Sequence, residues 1–178
     1  MQNLFTLLKK EIFPISLILI LVFARLIPHP PNFTPIIAVA IVSGYFFKNI
    51  NLSLLTLLAA MLMSDLFIGL YENMIFVYAS LLLITFAFHK ISKKINFKNL
   101  FIYGFAGSLI FFIVSNFGVW ALGGLGVNDL AYEKSLEGLI ECYILAIPFF
   151  GNTFLSTIIF AYPAIFFYKS LTTGASSR

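Results

Sequence analysis

The sequence predicts an all-α membrane protein that crosses the bilayer several times. Of its 178 residues, 61% are hydrophobic and 10% are charged, and the mean hydropathy is +1.01. This composition does not suit a soluble domain. Backbone groups in lipid must bond to one another, which favours helices, and the strict alternation of a barrel strand is absent. The apolar residues form six stretches, so we expect six transmembrane helices in one domain over residues 1–171.

The six predicted spans follow one another with short connections. Several are shorter than the ~20 residues of a perpendicular span, so their ends should extend into the adjoining turns. The sixth is too long for one straight span, and Pro148 with Gly151 should kink or interrupt it. Residues 172–178 are mostly small and polar, which predicts a disordered tail. The spans cover residues 13–27, 33–47, 52–70, 74–88, 100–122 and 139–168.

The positive charges predict the orientation in the membrane. Nine of the eleven Lys and Arg residues fall on one side of the six spans, and both termini lie on that side. The other side has Arg25, Lys134 and six of the seven acids. By the positive-inside rule, both termini are then cytoplasmic. We expect a multi-pass protein in the lipid bilayer of the inner membrane, and no nucleic-acid partner. The nine cations are Lys9, Lys10, Lys48, Lys90, Lys93, Lys94, Lys98, Lys169 and Arg178.

No sequence pattern supports catalysis. The chain has no G-x-S-x-G, no H-E-x-x-H and no Walker-type loop, and its single cysteine, Cys142, has no metal-ligand companions at a suitable spacing. We therefore expect no enzyme activity, no metal and no cofactor. If the protein moves a solute actively, the energy must come from a partner or an ion gradient.

Polar residues inside the apolar stretches concentrate near the predicted outer surface. Arg25, Asp65 and Asn116 lie two, five and six residues from the outer ends of their spans, within ~10 Å of the interface. Glu141 enters the sixth span from the same side. Because polar groups are costly in hydrocarbon, this asymmetry predicts a pocket that opens outward.

Two interpretations of Arg25 and Asp65 stay open. They can recognise a charged or strongly polar solute as a pair or as separate anchors. Alternatively, they neutralise each other between spans 1 and 3, or Arg25 extends its head to the interface.

One face of span 5 also carries polar groups. Gly104, Ser108, Phe112, Asn116 and Trp120 recur every four residues, so neighbours in the series share a helix face. Asn116 can offer an amide to a solute, and Trp120 can offer a stacking surface. Ordinary packing is the alternative, with Gly104 and Ser108 permitting close helix contact.

Two connections are expected to cover the outer mouth. Residues 28–35 include four prolines and predict a stiff lid, in which His29 is a solvated loop residue. Residues 128–137 are acidic and amphipathic, which predicts an interfacial helix or a gating loop. Asn152 is the clearly polar side chain beside the expected break in span 6, where it can bind a solute or satisfy freed carbonyls.

Four motifs resemble an uncharacterised family of small bacterial membrane proteins, which is in turn similar to the substrate-binding S components of energy-coupling factor transporters. The motifs are ARLIPHPPNFTP at residues 24–35, SDLFIG at 64–69, SNFGVW at 115–120 and PFFGNT at 148–153. The resemblance implies a six-helix bundle that captures a vitamin or related micronutrient and docks on a T subunit with two ATPases. Span 1 departs from it, since it lacks the A-x-x-x-A contact of S components. Ala40-x-x-x-Gly44 in span 2 is the nearest equivalent.

The sequence therefore predicts a capture protein for transport of a small micronutrient, such as a vitamin, a vitamin precursor or a nucleobase. The alternative is a structural or assembly subunit whose polar layer holds helices together. Charge, hydrogen bonds and a stacking face for the solute would come from Arg25, Asp65, Asn116, Trp120, Glu141 and Asn152.

Overall fold

The protein is a bundle of α-helices. The computed structural model describes residues 16–47, 49–92, 94–126 and 129–174, with backbone alone for residues 170–174. In this part of the chain there are six helices and no strand, which confirms the all-α prediction. They are α1 (Ser16–Leu26), α2 (Ile36–Phe46), α3 (Ile50–Ile68), α4 (Met74–Ser92), α5 (Phe97–Ala121) and α6 (Leu136–Gly174).

Four of these helices, α3 to α6, are long and apolar enough to cross a membrane. Large apolar side chains are exposed along them, as lipid contact requires. This pattern indicates a membrane protein. By contrast, α2 has 11 residues, or ~17 Å at the usual rise, and is too short to cross the hydrocarbon alone. The first three residues of the predicted span 1, residues 13–15, lie outside the described residues.

The start of α2 is set by proline. The sequence predicts span 2 from residue 33, but the helix begins at Ile36, directly after Pro35. Ahead of it the chain turns, with the Phe33 amide donating to the Pro30 carbonyl at 3.0 Å and Asn32 in the left-handed region at φ 61°. Proline disfavours helix in the residue before it, so the segment stays irregular.

Asparagine caps fix the start of two other helices. The side chain of Asn49 accepts a hydrogen bond from the Asn51 amide at 2.8 Å, and the side chain of Asn96 accepts one from the Asn99 amide at 2.8 Å. Each cap satisfies a backbone donor that the first helical turn leaves unpaired. The predicted spans 3 and 5 start a few residues after the first residues of α3 and α5. Hydropathy alone does not identify the polar residues with which these two helices begin.

Helix α2 forms the centre of the bundle. Nine consecutive residues from Ile36 to Gly44 are buried. It packs on α4, where Ser92 Oγ donates to the Ile41 carbonyl and Gly44 lies against the backbone of His89. The predicted small-residue contact at Ala40 and Gly44 is therefore a contact within this chain. A hydrogen at Gly44 is what lets the two backbones meet.

Helices α5 and α6 pair as an antiparallel hairpin. Ser108 Oγ donates to Thr157 Oγ1 at 3.3 Å, and the Phe112 ring lies 5.5 Å from the Phe150 ring. Gly104 lies against the side chain of Ile158. The predicted face of α5 is thus the face that packs on α6. Of the two interpretations, packing holds for Gly104, Ser108 and Phe112.

Helix α6 differs from the sequence prediction. The sequence predicts a kink or an interruption at Pro148. The interruption is absent, because the helix continues through Pro148 and Pro163 for 39 residues, and the kink stays a prediction. That length is ~58 Å, almost twice the thickness of the hydrocarbon core. Proline removes one backbone donor but does not end this helix, because the packing on α5 holds both sides of Pro148. The backbone stays helical to Gly174, and residues 175–178 of the predicted tail lie outside the described residues.

The connection from α5 to α6 is not the predicted interfacial helix. An isolated antiparallel bridge joins Leu125 and Ala131, and the Gly126 amide donates to the Leu130 carbonyl at 2.8 Å. The described residues 129–135 form no α-helix. Gly123, at φ +81°, allows the sharp exit from α5. The acidic pattern was misread because a hairpin and a surface helix both expose charge.

Charged side chains of opposite sign lie at opposite ends of the bundle. The end where α4 stops, α5 starts and α6 stops is called the basic end, and the other is called the acidic end. Lys9, Lys10, Lys48, Lys93 and Arg178 lie outside the described residues. The orientation in the membrane stays a prediction. Among the described residues, the basic end has Lys90, Lys94, Lys98 and Lys169, and the acidic end has Asp65, Glu72, Asp129, Glu133, Glu137 and Glu141 together with two cations, Arg25 and Lys134.

Replacing Gly44 by alanine should destabilise the bundle. A Cβ at this position would lie 2.1 Å from the His89 carbonyl oxygen, so α2 and α4 would have to separate. We expect Gly44→Ala to cost ~1–3 kcal/mol. Gly151→Ala is the matched control, because nothing lies within 4 Å of its added Cβ. Thermal unfolding in detergent measures both. Equal melting temperatures for the two variants would contradict the close contact.

Candidate functional site

A buried ion pair lies at the acidic end between α1 and α3. Arg25 Nη2 is 2.6 Å from Asp65 Oδ1, and the two side chains are 11% and 1% exposed. Arg25 is one residue from the end of α1, and Asp65 is three from the end of α3. The two helices run in the same direction, which brings their last turns together. Of the interpretations left open by the sequence, this contact agrees with those in which Arg25 and Asp65 pair, and it leaves open whether the pair also binds a solute.

Neighbouring polar groups hold the pair in place. Arg25 Nη1 donates to the Met61 carbonyl at 3.2 Å and to the hydroxyl of Ser64. On the other side, the Tyr78 hydroxyl donates to Asp65 Oδ2 at 2.7 Å. Both carboxylate oxygens are therefore engaged. With the Tyr71 hydroxyl, which also accepts a hydrogen bond from Arg25, these contacts use at most four of the five guanidinium N–H groups, so Arg25 keeps a donor for another partner.

A cavity of ≈ 380 Å³ opens beside Arg25. Arg25 is among the residues that line it, and Asp65 is not. A volume of this order is at the lower end for small-molecule sites. Its lining combines apolar and polar side chains. The apolar ones are Ile36, Ile37, Met61, Ile68, Val77, Leu81 and Phe111, and the polar ones are Arg25, His29, Asn32, Thr34 and Tyr71.

Tyr71 is one of the polar residues that line this cavity, and it lies in the connection between α3 and α4. Burial raises the pKa of its phenol, the Asp65 carboxylate raises it further, and Arg25 acts in the opposite direction through its charge and a hydrogen bond. The net direction is upward, so the phenol is a neutral group at physiological pH. It can donate or accept a hydrogen bond inside the cavity.

His29 also lines this cavity, although the sequence analysis treated it as a solvated loop residue. Its Nδ1 is 2.8 Å from the Pro30 carbonyl oxygen. Because a carbonyl can only accept, Nδ1 must carry the hydrogen, and the Nε2 of a neutral ring is left as an acceptor. The residue is exposed as well, so it lies where the cavity opens.

The proline-rich segment 28–35 is fastened to α6. Asn152 Nδ2 donates to the Pro31 carbonyl at 3.1 Å, and Ser156 Oγ donates to the Asn32 carbonyl at 3.5 Å. Asn152 therefore bonds the expected lid and does not satisfy carbonyls of its own helix. This places the segment over the first cavity as a wall with defined anchor points.

A second cavity of ≈ 310 Å³ lies on the other side of the same segment. Pro31 and Asn32 line it together with Asn116, Tyr132 and Cys142. The Asn116 side chain donates to the Phe112 carbonyl at 2.8 Å within α5, and Cys142 Sγ donates to the Asn116 carbonyl at 3.5 Å. Asn32 lines both cavities, so the two are neighbours across this residue.

Trp120 and Glu141 are not part of either cavity. Trp120 Nε1 donates to the Glu133 carbonyl at 2.8 Å, and the ammonium of Lys134 lies 5.4 Å from the indole ring centre. Those contacts tie the end of α5 to the hairpin that follows. Glu141 is exposed on α6. The six residues predicted to share one site are thus distributed over the ion pair, the segment anchor, the second cavity and the surface.

Sequence reasoning missed several groups around the first cavity. Tyr78 and Ser64 were not singled out, and Asn32, Thr34 and Tyr71 were seen as loop residues. A signal existed for Tyr78, because residues equally far from the short α3–α4 connection face each other in a helical hairpin. No comparable signal pointed to Tyr71. Within the described residues no three His, Cys, Asp or Glu side chains lie close enough together to hold a metal ion.

The fold and the site define a class: an all-helical membrane protein with a buried ion pair beside a small cavity. The chain belongs to the family described as Family of unknown function (DUF6580), whose sequence model matches residues 5–175. No curated protein and no solved structure matches the chain. The membership covers almost the whole chain, whereas the similarity to S components stays a prediction from the four motifs.

Removing one member of the ion pair should destabilise the protein far more than removing both. Asp65→Ala leaves the Arg25 charge buried and uncompensated, which should cost on the order of 3–5 kcal/mol. Replacing Arg25 by Met and Asp65 by Leu together should recover most of this loss. Melting temperatures in detergent provide the measurement. Glu72→Ala, at an exposed carboxylate of the same end, is the control. A double variant no more stable than Asp65→Ala would argue against pairing.

Proposed function

We propose that this protein captures a small solute in the cavity beside Arg25 and helps to carry it across the membrane. The observation that carries the proposal is a charged side chain, Arg25, in the lining of a ≈ 380 Å³ cavity within a bundle of membrane helices. A polar group in hydrocarbon is costly and is commonly kept for function. A lining that combines apolar side chains with a few polar groups suits a ring-shaped solute with a polar edge.

The position of the cavity supports uptake from the outside. It lies at the acidic end, which the positive-inside rule places outward. In this orientation, segment 28–35 would cover the route from the exterior to the first cavity. A solute would enter the second cavity before it reaches the first. The protein would belong to the inner membrane and would draw energy from a T subunit with two ATPases, as the motif resemblance implies, or from an ion gradient. Vitamins, their precursors and nucleobases are the candidate solutes.

A structural or assembly subunit is the second candidate. It is favoured by one observation: Asp65 is fully engaged by Arg25 and Tyr78, as a pair that merely holds helices together would be. If Arg25 only held helices together, we would expect other side chains to pack around it. Instead it lines a cavity, which this alternative does not explain. We therefore rank capture first.

A solute bound in the first cavity should stabilise the protein, and a bulky side chain there should abolish the effect. A ligand at ~100 times its dissociation constant adds ~2.7 kcal/mol of stability. We expect a hit in a thermal-shift screen of vitamins, precursors and nucleobases. Val77→Phe, which fills the first cavity, should remove the shift. Val119 lines the second cavity, so Val119→Phe is the matched control and should preserve the thermal shift.

The outcomes of this screen separate three situations. If Val119→Phe alone abolishes the shift, the solute occupies the second cavity. If neither variant affects it, binding occurs elsewhere. No hit from a broad panel with folded protein would favour the assembly subunit.

Cysteine labelling should reveal an exterior opening. Asn32 is exposed and lines both cavities. In a Cys142→Ser background, Asn32→Cys should react with a membrane-impermeant maleimide on intact cells, and a bound solute should slow the reaction. Asn96→Cys, exposed at the basic end, is the control and should react only after permeabilisation. The reverse pattern would invert the proposed orientation, and an unreactive Asn32→Cys would favour a covered assembly surface.

A further inference from the structure

The electrostatic balance of the first cavity limits the charge that its occupant can carry. Among the described residues that line it, Arg25 is the one permanently charged side chain, and His29 is the one other titratable base. The Arg25 charge is compensated by Asp65 at 2.6 Å. The cavity therefore has a strong hydrogen-bond donor but little net positive charge.

A carboxylate ligand would meet an unfavourable environment here. To contact Arg25 it would have to lie within a few ångströms of the Asp65 carboxylate, which is 1% exposed and cannot move into solvent. Two carboxylates around one guanidinium leave a net negative charge in a region of low dielectric, which disfavours ionisation of one of them. The Tyr78 hydroxyl already donates to Asp65 Oδ2, so Asp65 is held as the resident partner.

A neutral ligand can use the donors that remain. Arg25 keeps an unused N–H group for a carbonyl or ring-nitrogen acceptor, and when the His29 ring is neutral its Nε2 accepts from a ligand N–H. The Thr34 hydroxyl can donate or accept, and the Tyr71 hydroxyl, which accepts from Arg25, can still donate. Aliphatic side chains of the lining, such as Leu81, can cover the face of a ring.

We propose that the first cavity selects an uncharged solute with a hydrogen-bond acceptor beside a donor, as in a primary or cyclic amide, and discriminates against the carboxylate form of the same ring. This proposal rests on the proposed capture function. It goes beyond that function because it assigns Asp65 the role of setting charge selectivity. Asp65 acts through Arg25 and is a positioning residue.

Matched pairs of compounds test the selectivity on the wild-type protein. Nicotinamide with nicotinate, and uracil with orotate, present the same ring with and without a carboxylate. Any other ring that stabilises the protein is tested in its amide and acid forms as well. In thermal-shift titrations, we expect the neutral member of each binding ring to bind on the order of tenfold more tightly, since an interaction with a charged group contributes about this factor.

The results separate the two proposals. If the carboxylate binds as tightly as the amide or more tightly, the selectivity proposal is wrong while capture stands. If no compound in the wider panel binds to folded protein, capture fails and the selectivity falls with it.

The Asp65→Asn variant provides a second test, in which the preference of the protein for the amide or the carboxylate form of a ligand should change. The amide keeps the shape of Asp65 but frees the Arg25 charge, so the carboxylate member should now bind better than the neutral member. The double variant Arg25→Gln with Asp65→Asn is the matched control, and it should show no gain for the carboxylate. A folded Asp65→Asn that keeps its preference for the amide would overturn the role of Asp65. If Asp65→Asn does not fold, the wild-type comparison decides.

Discussion

The ion pair between Arg25 and Asp65 is the constraint on which the acidic end of this protein depends. Two opposite charges in an apolar bundle must stay together, because either one alone would be buried without compensation. Their contact fixes the last turn of α1 against the last turn of α3. Ser64 adds a further contact from α3, Tyr78 extends the network to α4, and Tyr71 joins it from the connection between α3 and α4. The cavity beside Arg25 takes its shape from this arrangement.

The proline-rich segment 28–35 lies between the cavity beside Arg25 and the second cavity. Prolines keep it out of a helix, and Asn152 and Ser156 fasten it to α6. Asn32 consequently lies between two cavities of similar size. A wall with a few hydrogen-bond anchors can open at modest cost, since each such bond contributes about 1 kcal/mol. Transport from one cavity to the other would need this segment to move, whereas a packed assembly subunit would not.

Much of the architecture followed from composition, and the details that failed have physical causes. The helical class was predictable from composition, and the pairing of Arg25 with Asp65 was one of several interpretations that the sequence left open. The unbroken α6 was not, since packing on α5 overrides the tendency of Pro148 to interrupt a helix. The hairpin at 124–132 looks like a surface helix by charge alone. The cavity itself depends on α1 lying beside α3, a contact between helices that are not sequential, and no local pattern reports it.

Binding measured on the double variant Arg25→Met with Asp65→Leu tests the central claim most directly. This variant keeps the helices packed without any charge, so its fold and its solute binding can be judged separately. Our account predicts a folded protein that has lost the affinity for the solute that stabilises the wild type, because the donor at the cavity wall is gone. Unchanged affinity in the folded double variant would contradict it, and would leave the ion pair as a purely structural link between α1 and α3.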